Sequence, residues 1–131
     1  MIVHIDGGSR GNPGPAGFGV CFAAPDGVVV AEFGEAIGVA TNNVAEYRGL
    51  LAALRYAVEH GYPDLTVRSD SLLLVCQMRG EYKVKNPGLQ PLHAEARRLA
   101  AQLSRVRYEH VPRALNTHAD RLANEAMDGK K

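Results

Sequence analysis

Along the first third of the chain, β-branched and aromatic positions come in short runs separated by glycine- and proline-rich turns. Ile2 to Asp6 is one run and halts at Gly7-Gly8; Phe18 to Ala23 is a second, entered through Gly11-Asn12-Pro13-Gly14-Pro15; Val28 to Phe33 follows the Pro25-Asp26-Gly27 turn. Runs of this kind predict strands, and the short turns between them predict antiparallel pairing. From Val44 the period lengthens: Tyr47, Leu50, Leu51, Leu54, Ala57 and Val58 recur at helical steps between Asn42-Asn43 and Gly61, which predicts a helix. Beyond it the pattern predicts a strand over Leu65 to Ser69, a short helix over Ser71 to Met78 and a longer helix carrying Leu89, Leu92, Ala96, Leu99 and Leu103. Val106, Tyr108 and His110 alternate with Arg107 and Glu109 as a half-buried strand, and Thr117 to Met127 is the last helix, with Leu122, Ala123 and Ala126 inward. Hairpins first and strands joined by helical crossovers afterwards imply a mixed α/β sheet, part antiparallel and part parallel.

Length and composition narrow the class. The 131 residues, 46% apolar and 22% charged, suit one globular domain over 1–131 with one core. The apolar run Leu72 to Val75 is far short of the roughly 20 residues of a membrane span. The opening MIVHIDGG has neither a basic start nor a long apolar stretch, so no secretory leader is expected. Cys21 and Cys76 are far apart and in neither a zinc nor a redox spacing. They are expected to be reduced, buried side chains of a cytoplasmic protein. A net charge of +1 does not announce a nucleic-acid binder, so any such function has to come from local arrangement. The tail Gly129-Lys130-Lys131 is expected to fray.

Four carboxylates stand where chemistry is expected. Asp6 and Asp70 end predicted strands, and Glu46 and Asp120 lie in the first turns of predicted helices. Each has a purely local alternative. Asn43 with Glu46, and Thr117 with Asp120, have capping-box spacing; Asp70 can cap the helix after it; Asp6 can open an Asx-turn. Together they point elsewhere, because strand C-termini and helix N-termini of a crossover sheet share one edge. A cluster of four repelling carboxylates is relieved by a cation. All-oxygen donors select Mg²⁺ or Mn²⁺, and carboxylate clusters holding two such ions drive phosphoryl displacement.

The same residues resemble the ribonuclease H type 1 family over essentially the whole chain. Asp6-Gly7-Gly8-Ser9 with the following GNPGPAGFG is similar to the family's first strand and turn; Thr41-Asn42-Asn43 with Glu46 to its TNNxxE element; Ser69-Asp70-Ser71 to its third acidic segment; and NTHADRLA, from Asn116 to Ala123, to its final NxxxD helix start. The resemblance implies a ribonuclease H-like fold: a five-stranded mixed sheet, three antiparallel strands and then parallel ones, with helices on both faces. It further implies endonucleolytic hydrolysis of the RNA strand of RNA·DNA hybrids, leaving 5′-phosphate and 3′-hydroxyl ends. Asp6, Glu46, Asp70 and Asp120 would hold two Mg²⁺ ions, with Mn²⁺ as an alternative. Gly7, Ser9, Asn12, Asn42, Asn43 and Ser71 would line the hybrid, in part through 2′-hydroxyls, the groups that distinguish RNA from DNA. Thr41 and Asn86 would grip a phosphate of the DNA strand.

The departures from the family pattern carry expectations of their own. Only Arg79 to Lys85 fills the space where well-known bacterial members have a basic handle, and Leu72 stands where a glutamine is frequent. Grip on the hybrid is therefore expected to be weak. Arg113 is the expected mobile catalytic cation in the loop before Asp120, in preference to His118, and His4, His60, His93 and His110 are assigned no role. The chain is expected to act as a monomer away from membranes. Double-stranded RNA stays open as a second substrate, and a non-catalytic hybrid-binding module is the alternative.

Overall fold

The computed structural model describes residues 1–129. The tail positions Lys130 and Lys131, where fraying is expected, lie outside the described residues. Strand β1 (Ile2–Ser9) runs antiparallel to β2 (Gly14–Ala23), which pairs antiparallel with β3 (Val29–Ala40). On its other side β1 runs parallel to β4 (Asp64–Ser69), which pairs in parallel with β5 (Arg105–His110). The sheet order is β3-β2-β1-β4-β5, a mixed sheet of antiparallel hairpins followed by parallel strands. Helices α1 (Asn42–Glu59), α2 (Leu72–Met78) and α3 (Gln90–Ala100) follow in turn, and α4 (Thr117–Met127) closes the chain after a single 3-10 turn at Arg113–Leu115. Residues 79–89, in the place of a handle, join α2 to α3 without helix or strand of their own.

The first two strands and the third are longer than side-chain alternation predicts. β1 does not end at Gly7-Gly8 but continues to Ser9, with Gly8 opposite Gly17 and Ser9 opposite Ala16; β2 accordingly begins at Gly14, and β3 runs on past Phe33 to Ala40. The interruptions are glycines, which remove side chains from the pattern while leaving the backbone ladder intact. Past a register shift, β3 resumes pairing at Gly38, whose φ of 76° needs the freedom of glycine in a bulge.

At three of the sheet's glycines, Gly7, Gly19 and Gly34, helices press on the sheet. On one face Val3, Ile5, Phe18, Val20, Phe22, Leu65 and Val67 form the core with Tyr47, Leu50, Leu51 and Leu54 of α1 and with Leu74, Val75, Ala96 and Leu99 of α2 and α3. A Cβ at Gly7 would lie 2.4 Å from the Ala45 carbonyl carbon, so the start of α1 touches the β1 backbone directly. Among the described residues the opposite face is covered by α4 alone, which presents small buried residues, Ala119, Ala123 and Ala126, to β2 and β3. A Cβ at Gly19 would sit 2.3 Å from the Ala119 carbonyl oxygen, and one at Gly34 would sit 2.7 Å from that of Leu122. Backbone atoms cannot yield as a flexible side chain can, so the seat of α4 is rigid. Cys21 and Cys76 are both buried and free.

Gly19→Ala is expected to destabilise the protein by about 1–3 kcal/mol, the usual cost of overpacking. Urea unfolding checks this; an unchanged midpoint would show that α4 can ride further from the sheet.

Candidate metal and nucleic-acid site

Strand parity sets Asp6 on the α4 face, between Ile5 and Gly7, which both face α1. Glu46 comes from the turn of α1 that touches Gly7, since a Cβ there would lie 2.5 Å from the Glu46 nitrogen. Asp70 follows the last residue of β4, and Asp120 sits in the first turn of α4. Four elements thus deliver four acids to one groove of about 580 Å³. Carboxylate oxygens of Asp6, Glu46 and Asp70 lie within 4.8 Å of one another, and Asp120 makes a side-chain contact with Asp6.

The local alternatives for these acids do not hold. Helix α1 is capped by Thr41, whose hydroxyl accepts from the Val44 N–H at 3.2 Å, and α2 by Ser71, whose hydroxyl accepts from Leu74 N–H at 3.2 Å. α4 has Asn116 at its N-cap and no side-chain cap bond, so Thr117 and Asp120 do not form a capping box. Asp6 lies within a strand rather than at an Asx-turn.

Burial pushes the Asp6 carboxyl up to about 8, helped by the close approach of the Asp120 carboxyl and by the charge of Asp70, against a smaller opposing effect of the Gly7 N–H. Burial raises Glu46 well above the usual carboxylate range, with Asp6 and Asp70 adding repulsion. Glu46 Oε2 is buried with no hydrogen-bond partner. Three clustered carboxylates, two of them hard to ionise and one with an unused buried oxygen, fit a hard divalent cation, which would satisfy the oxygen and neutralise the repulsion.

One wall of the groove is an ordered polar network. The Ser9 N–H and hydroxyl both donate to Asn42 Oδ1, at 2.8 and 3.0 Å, and the Asn42 N–H donates to Asn12 Oδ1 at 2.9 Å. With its oxygen used twice, Asn42 keeps its amide N–H groups for a ligand. Gly7, Ser9, Asn42, Asn43 and Ser71 line the groove, whereas Asn12, Thr41 and Asn86 do not. Asn12 supports Asn42 from behind, Thr41 caps α1, and Asn86 turns its Oδ1 to the Gly88 N–H at 2.8 Å. Arg113 lies on the rim with its side chain 81% exposed, 3.7 Å from Asp120. His118, two residues before Asp120 in sequence, instead contacts Glu32 and Arg121.

The structure also brings in residues the sequence left unassigned. His110 lines the groove with Nε2 3.3 Å from the Asp70 carbonyl oxygen, and Arg10 and Asn124 contribute to the walls. The position of His110 at the C-terminal end of a strand parallel to the one before Asp70 was the available signal.

Fold and site define a ribonuclease H-like domain, and the comparisons agree: a family model described as reverse transcriptase-like matches residues 4–126. The Bifunctional protein Rv2228c of Mycobacterium tuberculosis is 57% identical over 129 residues, 98% of this chain and 35% of that protein. This chain therefore spans about a third of the length of that relative. The solved RNase H1 of Halobacterium salinarum superimposes with a TM-score of 0.94 at 45% identity, covering 98% of this chain and 97% of that one. LC11-RNase H1, isolated from compost and solved in complex with an RNA/DNA hybrid, gives 0.93 at 41% identity, over 98% and 96%. The chain belongs to the ribonuclease H type 1 family, whose members use divalent metal ions. Among the described residues, no helix is long and apolar enough to cross a membrane.

Because Asp6 holds its proton up to about 8 in the folded chain against 3.8 ordinarily, the folded state binds more protons than the unfolded one over that range, and stability must fall as pH rises. Thermal melts of metal-free protein are expected to lose several degrees between about pH 5 and pH 8, with the slope flattened by Asp6→Asn and by excess Mg²⁺. A melting temperature that climbs over this range in metal-free wild type would contradict the assignment.

Proposed function

We propose that this chain is a single ribonuclease H domain over 1–131 that hydrolyses the RNA strand of RNA·DNA hybrids internally, leaving 5′-phosphate and 3′-hydroxyl ends. The observation that carries the reading is the convergence of Asp6, Glu46, Asp70 and Asp120 in one groove walled by hydrogen-bonding side chains. These four carboxylates would hold two Mg²⁺ ions, with Mn²⁺ as a substitute. Bound there, the ions supply activation of the attacking water and offset of charge on the leaving 3′ oxygen. Likeness to a relative solved with an RNA/DNA hybrid supports the substrate class.

The chain's own residues provide selection and placement. Asn42, fixed by Ser9 and Asn12, presents its amide N–H groups to the RNA, and Asn43 and Glu46 stand beside it to meet a 2′-hydroxyl, which DNA lacks. Gly7, through its backbone, and Ser71 would meet the RNA backbone beside the acids. Thr41 and Asn86 would meet the DNA strand away from the cleavage groove. The short segment 79–89 offers Lys83 and Lys85 in place of a handle, so few phosphates are neutralised and the grip is light. Double-stranded RNA, which shares the A-like minor groove, is a possible second substrate by this geometry, and the domain is expected to work as a cytoplasmic monomer.

Labelled hybrid, double-stranded RNA and double-stranded DNA, each incubated with Mg²⁺, Mn²⁺ or a chelator, test the reading. Cleavage confined to RNA strands and stopped by chelation is expected; an inert wild-type chain would leave a binding module. Asp70→Asn is expected to abolish cleavage without loss of fold, since helix α2 takes its cap from Ser71. An active Asp70→Asn protein would remove Asp70 from the chemistry.

Arg113 is the second test. Its exposed guanidinium is free to leave Asp120 for the scissile phosphate and to fork onto two oxygens without titrating. Arg113→Ala should lower kcat about 10- to 100-fold, on the order of 1.4 to 2.7 kcal/mol, with a smaller change in KM. Arg113→Lys should regain part of the loss, and His118→Ala should stay within about threefold of wild type, its ring being committed to Glu32. Steady-state and single-turnover rates decide between them, and a crippled His118→Ala would reverse the two roles.

A further inference from the structure

Asn116 is buried, with 1% of its surface exposed, although it begins a surface helix. An asparagine at a helix N-cap ordinarily gives its side-chain oxygen to an N–H of the first turn. This one does not: its side chain turns inward, and Nδ2 donates to the Ile5 carbonyl oxygen at 2.9 Å, across 111 residues of sequence. The helix forgoes a side-chain cap, and Asn116 Oδ1 is left buried without a partner. Both departures are unfavourable, so the amide must be explained by what its donor reaches.

It reaches the residue before Asp6, at the last rung of the β1–β4 register, where Ile5 pairs with Ser69. The backbone carbonyl of the same Asn116 accepts from the Asp120 N–H at 3.0 Å. One residue thus connects the strand carrying Asp6 to the helix turn carrying Asp120 through two hydrogen bonds, and these are two carboxylates that repel each other. We infer that Asn116 is a positioning residue that holds Asp120 against Asp6 and so sets the shape of the cation site. The role rests on the ribonuclease reading for its consequence in catalysis, but its direct readout is metal affinity. Serine is too short to span to Ile5, and aspartate offers an oxygen where a donor is required.

Calorimetric titration of Mn²⁺ into wild type, Asn116→Ala, Asn116→Asp and the milder Asn116→Ser tests this, beside Val106→Ala, which trims the half-buried side chain on β5 away from the acids. Removing a hydrogen bond that orients metal ligands typically costs 10- to 100-fold in affinity, so the folded Asn116 variants are expected to bind Mn²⁺ at least about 10-fold more weakly. Val106→Ala should lower the melting temperature and keep wild-type affinity. With hybrid, kcat of Asn116→Ser should fall while KM holds within about twofold. Wild-type Mn²⁺ affinity in folded Asn116→Ala or Asn116→Ser, or an equal loss in Val106→Ala, overturns the inference. A wild-type chain that binds Mn²⁺ but cuts no hybrid sinks the ribonuclease reading alone, leaving the affinity comparison to decide Asn116.

Discussion

At Gly7 the start of α1 lies so near β1 that a single added carbon would sit 2.4 Å from a backbone carbon, and at Gly19 the start of α4 lies as close to β2. Helices usually rest on sheets through side chains, with room for a layer of branched residues between them. Here that layer is missing where each helix carries its acid. Glu46 is one residue past the Ala45 contact, and Asp120 is one residue past the Ala119 contact. The large core residues, Phe18, Phe22, Tyr47, Leu50 and Leu54, hold the remainder of α1 and the sheet together. The glycines decide how near the acids come.

That proximity works against folding. Bringing Asp6 and Glu46 into a buried site with Asp70 alongside raises both carboxyls, which means the fold either retains protons there or bears their repulsion. Other contacts offset the cost: the hydrophobic core on the α1 face, the buried hydrogen bond from the Tyr47 hydroxyl to Gln77 at 2.6 Å, and the Asn116 amide on Ile5. A cation removes the repulsion at its source. A cation bound there would couple its binding to folding for this reason, and Glu46 Oε2, buried without a hydrogen-bond partner, is placed to receive it.

The sequence made the fold legible because its two periodicities change cleanly at Val44 and because glycine and proline mark the turns between the first three strands. Strand ends were less legible. At Gly7-Gly8 the side-chain pattern stops while the ladder to β2 continues to Ser9, and no alternation can reveal a strand built from glycine. The four acids could be found because each stands at a predicted element end, but their distances could not, since these depend on the helix seats. Thr41 and Asn12 belong to motifs that suggest contact with a ligand, and the fold adds roles the motifs do not reveal: Thr41 caps a helix and Asn12 braces Asn42. His110 went unassigned because an alternating histidine is unremarkable until the chain folds it against Asp70, and Asn116 was legible as the start of the NxxxD motif but its inward turn onto Ile5 was not.

Two basic residues precede Asp120 in sequence, and the fold separates their uses. His118 points along α4 toward the edge strand, where Glu32 accepts from it and from Arg121 at 3.4 Å, so the three side chains staple α4 to β3. These are exposed contacts of modest worth individually, but they add to the glycine seat in fixing the helix. Arg113 precedes the helix in a 3-10 turn with no buried anchor, its sole ion pair among the described residues being the long one to Asp120. A group fixed to the scaffold is suited to holding the helix that carries Asp120 in place, whereas a group on a long exposed arm keeps its freedom to move. The division explains why a histidine so near an acid in sequence is a structural element, while the more distant arginine is the one on the rim of the groove.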